Sequence, residues 1–259
     1  MLFGTVVALG GAYAIQSGMV EDYVNDIIDS RVEKRVEQLE EENQKNLIDH
    51  AKGILENRVL LESEIRQGAV PESPVADVEE RSGNGYIVRG DDDDYIITVA
   101  HNTIETSDPA SGGINIKTIS RTEWEGVELE LIARDREKDY AVFRFPNEKP
   151  GGFEMPEYEI ELGRSSDLDI FDRLYLIGNP GLGGTNIREA IVSNELKERE
   201  LSDGEYSEGF NISSSSFGGD SGNAVMDERG KVVALAKQSH YNGVSTYVTP
   251  IDWFKEYIE

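Results

Sequence analysis

Phe217-Gly218-Gly219-Asp220-Ser221-Gly222-Asn223-Ala224-Val225 is the stretch from which the rest of the chain is read. A serine stands between an acid and a glycine, two further glycines precede it, and the run Val232-Val233-Ala234-Leu235-Ala236 follows. This is the pattern of a tight turn between strands with a hydroxyl on it. Lacking a Cβ, Gly218, Gly219 and Gly222 can take φ > 0 and bring the backbone close to a substrate. The N–H groups of Gly219 and Ser221 are then candidates for an oxyanion hole. A Gly/Ser-rich hairpin loop without any chemistry accounts for the same residues.

A serine hydroxyl is a weak nucleophile near neutral pH and needs a base, itself oriented by a third group. The chain has three histidines, His50, His101 and His240. His101 closes Tyr95-Ile96-Ile97-Thr98-Val99-Ala100-His101, an apolar, β-branched run that reads as a buried strand. Further along, Asp139 opens a second apolar run, Asp139-Tyr140-Ala141-Val142-Phe143, with Asp135 as the competing acid. The order His, Asp, Ser is one of those in which acyl-transfer triads occur. Three motifs in that order are more specific than any one of them.

These segments, together with Gly83-Asn84-Gly85-Tyr86-Ile87-Val88, resemble the protease domain of the trypsin-like serine peptidases. Leu162-Gly163-Arg164-Ser165-Ser166, the stretch Leu174-Tyr175-Leu176-Ile177-Gly178-Asn179-Pro180-Gly181 and Ala190-Ile191-Val192-Ser193 are similar to the second barrel of its HtrA/Deg branch. The likeness runs from about residue 78 to residue 259. Asn223-Ala224 departs from the Gly-Pro usual in that family, and no PDZ-like segment follows.

The resemblance implies a mainly β protein of two packed six-stranded-type β-barrels, preceded here by a long N-terminal α-helix, with the catalytic cleft between the barrels. It implies a serine endopeptidase acting on polypeptides through an acyl-enzyme. Ser221 is the nucleophile, His101 the base, Asp139 the group that holds the imidazole tautomer, and the N–H groups of Gly219 and Ser221 the oxyanion donors. No metal or organic cofactor is required. The side chain before the scissile bond is expected between residues 213–217 and 235–240, with Ser215, Ser216, Phe217, Leu235 and Lys237 as candidate lining. Ser213 to Ser216 supply only small hydroxyls, so small or medium apolar side chains are the expected preference. Lys237 and His240 read as surface groups; if either turns inward, it selects acidic substrates instead. A catalytically degenerate protease fold used as a binding module is the alternative that Asn223-Ala224 leaves open, and a membrane scaffold is a third reading.

Composition narrows the partners. With 51 acidic against 25 basic residues, the formal net charge of −26 argues against nucleic acid, whose phosphates would be repelled. A high-salt medium is one setting that suits such a surface. The absence of cysteine leaves stability to the core and leaves the compartment open.

Residues 1 to 20 contain no charged side chain and just reach the length that crosses a bilayer. They read as a membrane anchor that leaves the protease domain extracytoplasmic, as a cleaved signal ending near Ala12-Tyr13-Ala14 and giving a secreted protein, or as a buried soluble segment. Residues 21 to 67 have helix-forming composition. An apolar stripe through Val24, Ile28, Val32, Val36, Leu39, Leu47, Ala51, Ile54, Leu61 and Ile65 predicts a helical stalk. The stalk either self-associates as a coiled coil or packs on its own protease domain. His50 lies on that helix as a solvated side chain, and Asn43 is a polar interruption of the stripe. Pro71 and Pro74 make residues 68 to 77 a linker, and residues 78 to 259 form the protease domain. Asp91 to Asp94 read as a solvated hairpin tip, residues 146 to 158 as the connection between barrels, and Ile251, Phe254 and Ile258 as a short terminal helix.

Overall fold

A computed structural model describes residues 34–35, 37–39, 41–66, 78–103, 119–124, 126–147, 153–178, 186–194, 197–200, 206–239 and 245–259. The expected anchor, the linker at 68 to 77 and His240 lie outside them. The chain divides into two compact units, Met1–Ile48 and Asp49–Glu259. In the first, helical backbone appears at 34–35, 37–39 and from 41 onward. Leu39 and Ile48 are exposed there, at 42% and 46%. No helix among the described residues is long and apolar enough to cross a membrane.

The second unit is mostly β. Its first sheet has seven antiparallel strands in the order β5-β4-β1-β2-β3-β7-β6. These are β1 (Arg58–Arg66), β2 (Val78–Arg89), β3 (Asp94–Thr98), β4 (Ile119–Trp124), β5 (Val127–Glu128), β6 (Glu130–Asp135) and β7 (Tyr140–Arg144). The second sheet, ordered β10-β11-β14-β13-β12-β8-β9, also has seven. It is built from β8 (Arg173–Gly178), β9 (Asn186–Ile191), β10 (Lys197–Glu200), β11 (Tyr206–Ile212), β12 (Ala224–Asp227), β13 (Val232–Ser239) and β14 (Thr246–Pro250). Two curled antiparallel sheets in a mainly β unit are the arrangement the sequence led us to expect. Val59, Leu61, Ile87, Ile96, Ala141 and Phe143 close the first core, and Leu174, Leu176, Ile212, Val225, Val233 and Val248 are among those closing the second. A short helix (Asp252–Lys255) follows β14, and its Phe254 packs on Tyr140 of β7 with ring centroids 5.5 Å apart.

One expectation needs correction. The helix does not run to residue 67: it ends at residue 56, and Arg58–Arg66 is strand β1. Asn57 makes the turn, its Nδ2 donating to the carbonyls of Gly53 (2.9 Å) and Tyr158 (2.8 Å). Its own carbonyl accepts the Ile87 N–H at 2.9 Å, which docks the new strand on β2. Burial along β1 then alternates, with Val59, Leu61 and Ser63 inside and Leu60 at 53% exposed. Leu60 is what obscures this alternation in the sequence, since an apolar residue on the solvent face breaks the period of two that marks a strand. The first sheet therefore begins at Arg58, twenty residues before the expected start at 78.

His50 is corrected as well. It is half-buried, its Nδ1 lying 2.9 Å from the Tyr158 hydroxyl, because this end of the helix packs within the second unit, where Ala51 and Ile54 are fully buried. Gly53 lies against the face of Tyr158: an added Cβ would sit 2.2 Å from the ring. Gly53→Ala should accordingly destabilise the unit by about 1–3 kcal/mol through overpacking, although alanine is the better helix former by ~1 kcal/mol. Urea denaturation decides this, and a stabilised variant would show that the Tyr158 contact is not constraining.

Candidate active site

His101 sits in a one-turn 3-10 helix, Ala100–Asn102, directly after β3. Thr103 ties this turn down by donating N–H (3.0 Å) and Oγ1 (2.7 Å) to the Ala100 carbonyl. Arg134 adds a donation from Nη2 to the same carbonyl at 3.3 Å. Asp139 stands at the entry to β7 with φ 59°, a left-handed conformation that aspartate tolerates better than most side chains. That backbone turn presents its carboxylate to His101. Oδ1 accepts the His101 backbone N–H and Oδ2 faces Nδ1, both at 2.8 Å. Because a carboxylate accepts, Nδ1 carries the proton and Nε2 is left as an acceptor. Asp135 is engaged elsewhere, capping the Lys138 N–H at 2.9 Å.

Burial raises the Asp139 carboxyl, but the charge and hydrogen bonds of His101, with the charge of Lys237, outweigh it and hold the group below the usual aspartate value. The second sheet contributes as well, since Thr249 Oγ1 donates to the Asp139 carbonyl at 3.2 Å.

The turn bearing Ser221 is gripped from the first sheet. Asn84 Nδ2 donates to the carbonyls of Gly219 (2.8 Å) and Ser221 (3.2 Å), and the Asn84 N–H to Ser221 at 3.1 Å. Asn102 Nδ2 donates to the Ser221 carbonyl at 3.2 Å. The backbones approach so closely that a Cβ on Gly222, where φ is +84°, would lie 2.0 Å from the Asn84 oxygen. Tyr86 makes the neighbouring bridge: its hydroxyl donates to the Ile177 carbonyl (3.5 Å) and accepts the Ala224 N–H (3.2 Å), and burial pushes the phenol up to about 12. The Ser221 hydroxyl donates to the Lys237 carbonyl at 3.3 Å.

Asp220, beside the serine, is almost fully buried, at 1% exposed. It accepts the Phe217 N–H (2.8 Å), Asn223 Nδ2 (2.9 Å) and Arg188 Nη2 (2.8 Å). Arg188 reaches over from β9, also donates to the Ser215 carbonyl, and lies 5.8 Å from the centroid of the Phe217 ring. The unusual Asn223 is thus a fixed part of the turn.

The five candidate pocket residues differ in exposure. Phe217 is exposed and Ser215 half-exposed, whereas Leu235 and Ser216 are buried. Lys237 is not a surface group; it is 4% exposed with Nζ 3.8 Å from Asp139 Oδ2. Asn84, Asn102 and Arg188 are the residues that the motifs did not reveal. Only the likeness of Gly83-Asn84-Gly85 to the family's first strand pointed near any of them.

A sequence model of the trypsin-like peptidase domain matches residues 83–235, more than half of the chain. The chain belongs to the trypsin-like peptidase family. The peptidase domain is also 30% identical over 156 residues to a probable periplasmic serine endoprotease, DegP-like, of Bartonella henselae, a match covering 59% of this chain and 27% of that protein. Its fold is that of the HtrA-type protease AlgW solved with a decapeptide, with a TM-score of 0.53 at 18% identity, covering 82% of this chain and 66% of the other. A second AlgW structure with a decapeptide superposes with a TM-score of 0.55 at 17% identity, over 81% and 64% of the two chains.

Two outcomes follow from the buried charges. Native Asp139 binds its proton less readily than the unfolded chain does. Its stabilising contribution is therefore complete above the unfolded value of ~3.9 and lost as pH falls towards the lower native one. The Tm gap between the native protein and Asp139→Asn should thus narrow on acidification below about pH 4; a gap independent of pH would contradict the pairing. Arg188→Leu strands the buried Asp220 without its cation and should cost about 3 kcal/mol in urea denaturation, whereas a loss under ~0.5 kcal/mol would mean that the pair behaves as a surface one.

Proposed function

We propose that the protein is a serine endopeptidase. The observation that carries this reading is the double contact of Asp139 with the His101 backbone N–H and Nδ1, both at 2.8 Å, beside a turn whose Ser221 is held by His101's own sequence neighbour, Asn102. In this reading Ser221 attacks the peptide carbonyl as His101 Nε2 takes its proton. Asp139 stabilises the imidazolium, and the protonated imidazole then delivers its proton to the leaving amine. Water releases the acyl group by the same relay. Gly219 and Ser221 N–H groups have no acceptor among the described residues, which suits them to the oxyanion. To reach Nε2 the Ser221 hydroxyl has to leave the Lys237 carbonyl. That same resting contact is what favours the second reading, a binding module with an idle serine.

The uncharged residues 1 to 20 support tethering to a membrane. An extracytoplasmic protease domain with a role in protein processing or quality control accords with the periplasmic description of the Bartonella relative. Exposed Leu39 and Ile48 support self-association through the helical segment, now bounded at residue 56.

A fluorophosphonate probe should label the native protein and leave Ser221→Ala unlabelled. Peptide hydrolysis should fall in that variant by roughly 10⁴–10⁶-fold with folding intact. An unlabelled native protein would establish the binding-module reading; undiminished cleavage by pure Ser221→Ala would remove Ser221 from the chemistry.

A further inference from the structure

Lys237 is a buried cation that the proposed acyl-transfer chemistry has no step for. It is the extra residue where β13 slips register against β14, between Ala236 and Gln238, and a bulge of this kind re-aims a side chain. Here the bulge gives one residue two contacts with the site. Its carbonyl accepts the Ser221 hydroxyl at 3.3 Å, while its ammonium lies 3.8 Å from Asp139 Oδ2. That oxygen is the same one that faces His101 Nδ1 at 2.8 Å. The ammonium also stands 5.4 Å from the centroid of the Tyr247 ring.

The charged surroundings among the described residues are few. The loop before β7 contributes Asp139, the end of β6 contributes Asp135 and Arg134, the 3-10 turn His101, and β14 the uncharged Tyr247 and Thr249. Burial lowers the Lys237 ammonium, and the charges of Asp139 and Asp135 act against that. Arg134 is committed to the Ala100 carbonyl and to Thr103 Oγ1, so it braces the His101 turn from behind.

One carboxylate oxygen therefore serves two cationic partners. When His101 gains a proton, the new imidazolium meets an Asp139 charge already partly neutralised, together with a like charge on the same carboxylate oxygen. Both effects disfavour the protonated ring. We propose that Lys237 is a positioning residue which, by sharing Asp139 Oδ2 with His101, keeps His101 in its neutral, base-competent form to lower pH and so extends the working range of the site towards acid. This rests on the endopeptidase reading for its consequence, though not for its electrostatics.

The test compares pH profiles of kcat/KM for the native protein, Lys237→Met and Lys237→Arg on a peptide substrate. The acid limb of Lys237→Met should move up by about one pH unit, and that of Lys237→Arg should stay with the native limb; a methionine profile that superimposes on the native one overturns the proposal. A second readout needs no turnover. In a Ser221→Ala background, imidazole NMR should show the His101 titration midpoint displaced upward by the same Lys237→Met change, and an unmoved midpoint is equally fatal. Native protein without hydrolysis would sink the endopeptidase reading alone, with the NMR comparison still deciding Lys237. Should Lys237→Met fail to fold, Lys237→Gln is read in the same two ways.

Discussion

Two asparagine amides hold the Ser221 turn in place. Asn84 of β2 and Asn102 of the 3-10 turn after β3 donate to the carbonyls of Gly219 and Ser221, on a turn that leads into β12 of the second sheet. A serine on a glycine-rich turn has no intrinsic reason to stand beside a histidine from another sheet; these amides supply it. They act over a gap so short that any Cβ at Gly222 would overlap the Asn84 carbonyl. Thr98 Oγ1 completes the arrangement by donating to that same Asn84 oxygen at 2.7 Å. Tyr86, buried and bonded on both sides of its hydroxyl, bridges the sheets beside the turn.

Charge is partitioned between the inside and the outside of the unit. The chain carries a net −26, yet the buried aspartates at the site, Asp139 and Asp220, each stand opposite a basic group. A buried carboxylate left without its cation in either place would carry an uncompensated charge. On Asp220 the Phe217 N–H, the Asn223 amide and Arg188 converge. Pairing therefore serves geometry first: it lets one acid orient a turn and the other an imidazole. At Asp139 there are two basic partners, and the acid becomes a point where His101 and Lys237 influence one another.

The N-terminal helix shows where composition misleads. Residues 41 to 66 are rich in Glu, Lys, Leu and Arg, and local propensity favours helix throughout. The structure switches to strand at Arg58 because β1 has partners on both sides, from Arg58↔Tyr86 on β2 to Arg66↔Ile119 on β4. Two ladders of hydrogen bonds and the burial of Val59 and Leu61 outweigh a propensity difference of a few tenths of a kcal/mol per residue. The stripe that looked like one face of a stalk is in fact split: Ala51 and Ile54 are buried from the helix, Leu61 from the strand.

Sequence alone determined the kind of protein. The glycines around Ser221, the β-branched run ending at His101 and the apolar run after Asp139 are local patterns, and together they carried the resemblance to the trypsin-like peptidases that implied two β halves with a shared site. Most strands of both sheets were legible for the same reason, since alternation and β-branching are properties of neighbours in sequence. What only the tertiary structure decided is everything that joins distant segments: the clamp of Asn84 and Asn102 on the serine turn, the pairing of Arg188 with Asp220, and the inward turn of Lys237. An asparagine amide or a guanidinium has no fixed role in a sequence. It acquires one when the fold buries an acceptor within about 3 Å of it and leaves no water to take its place.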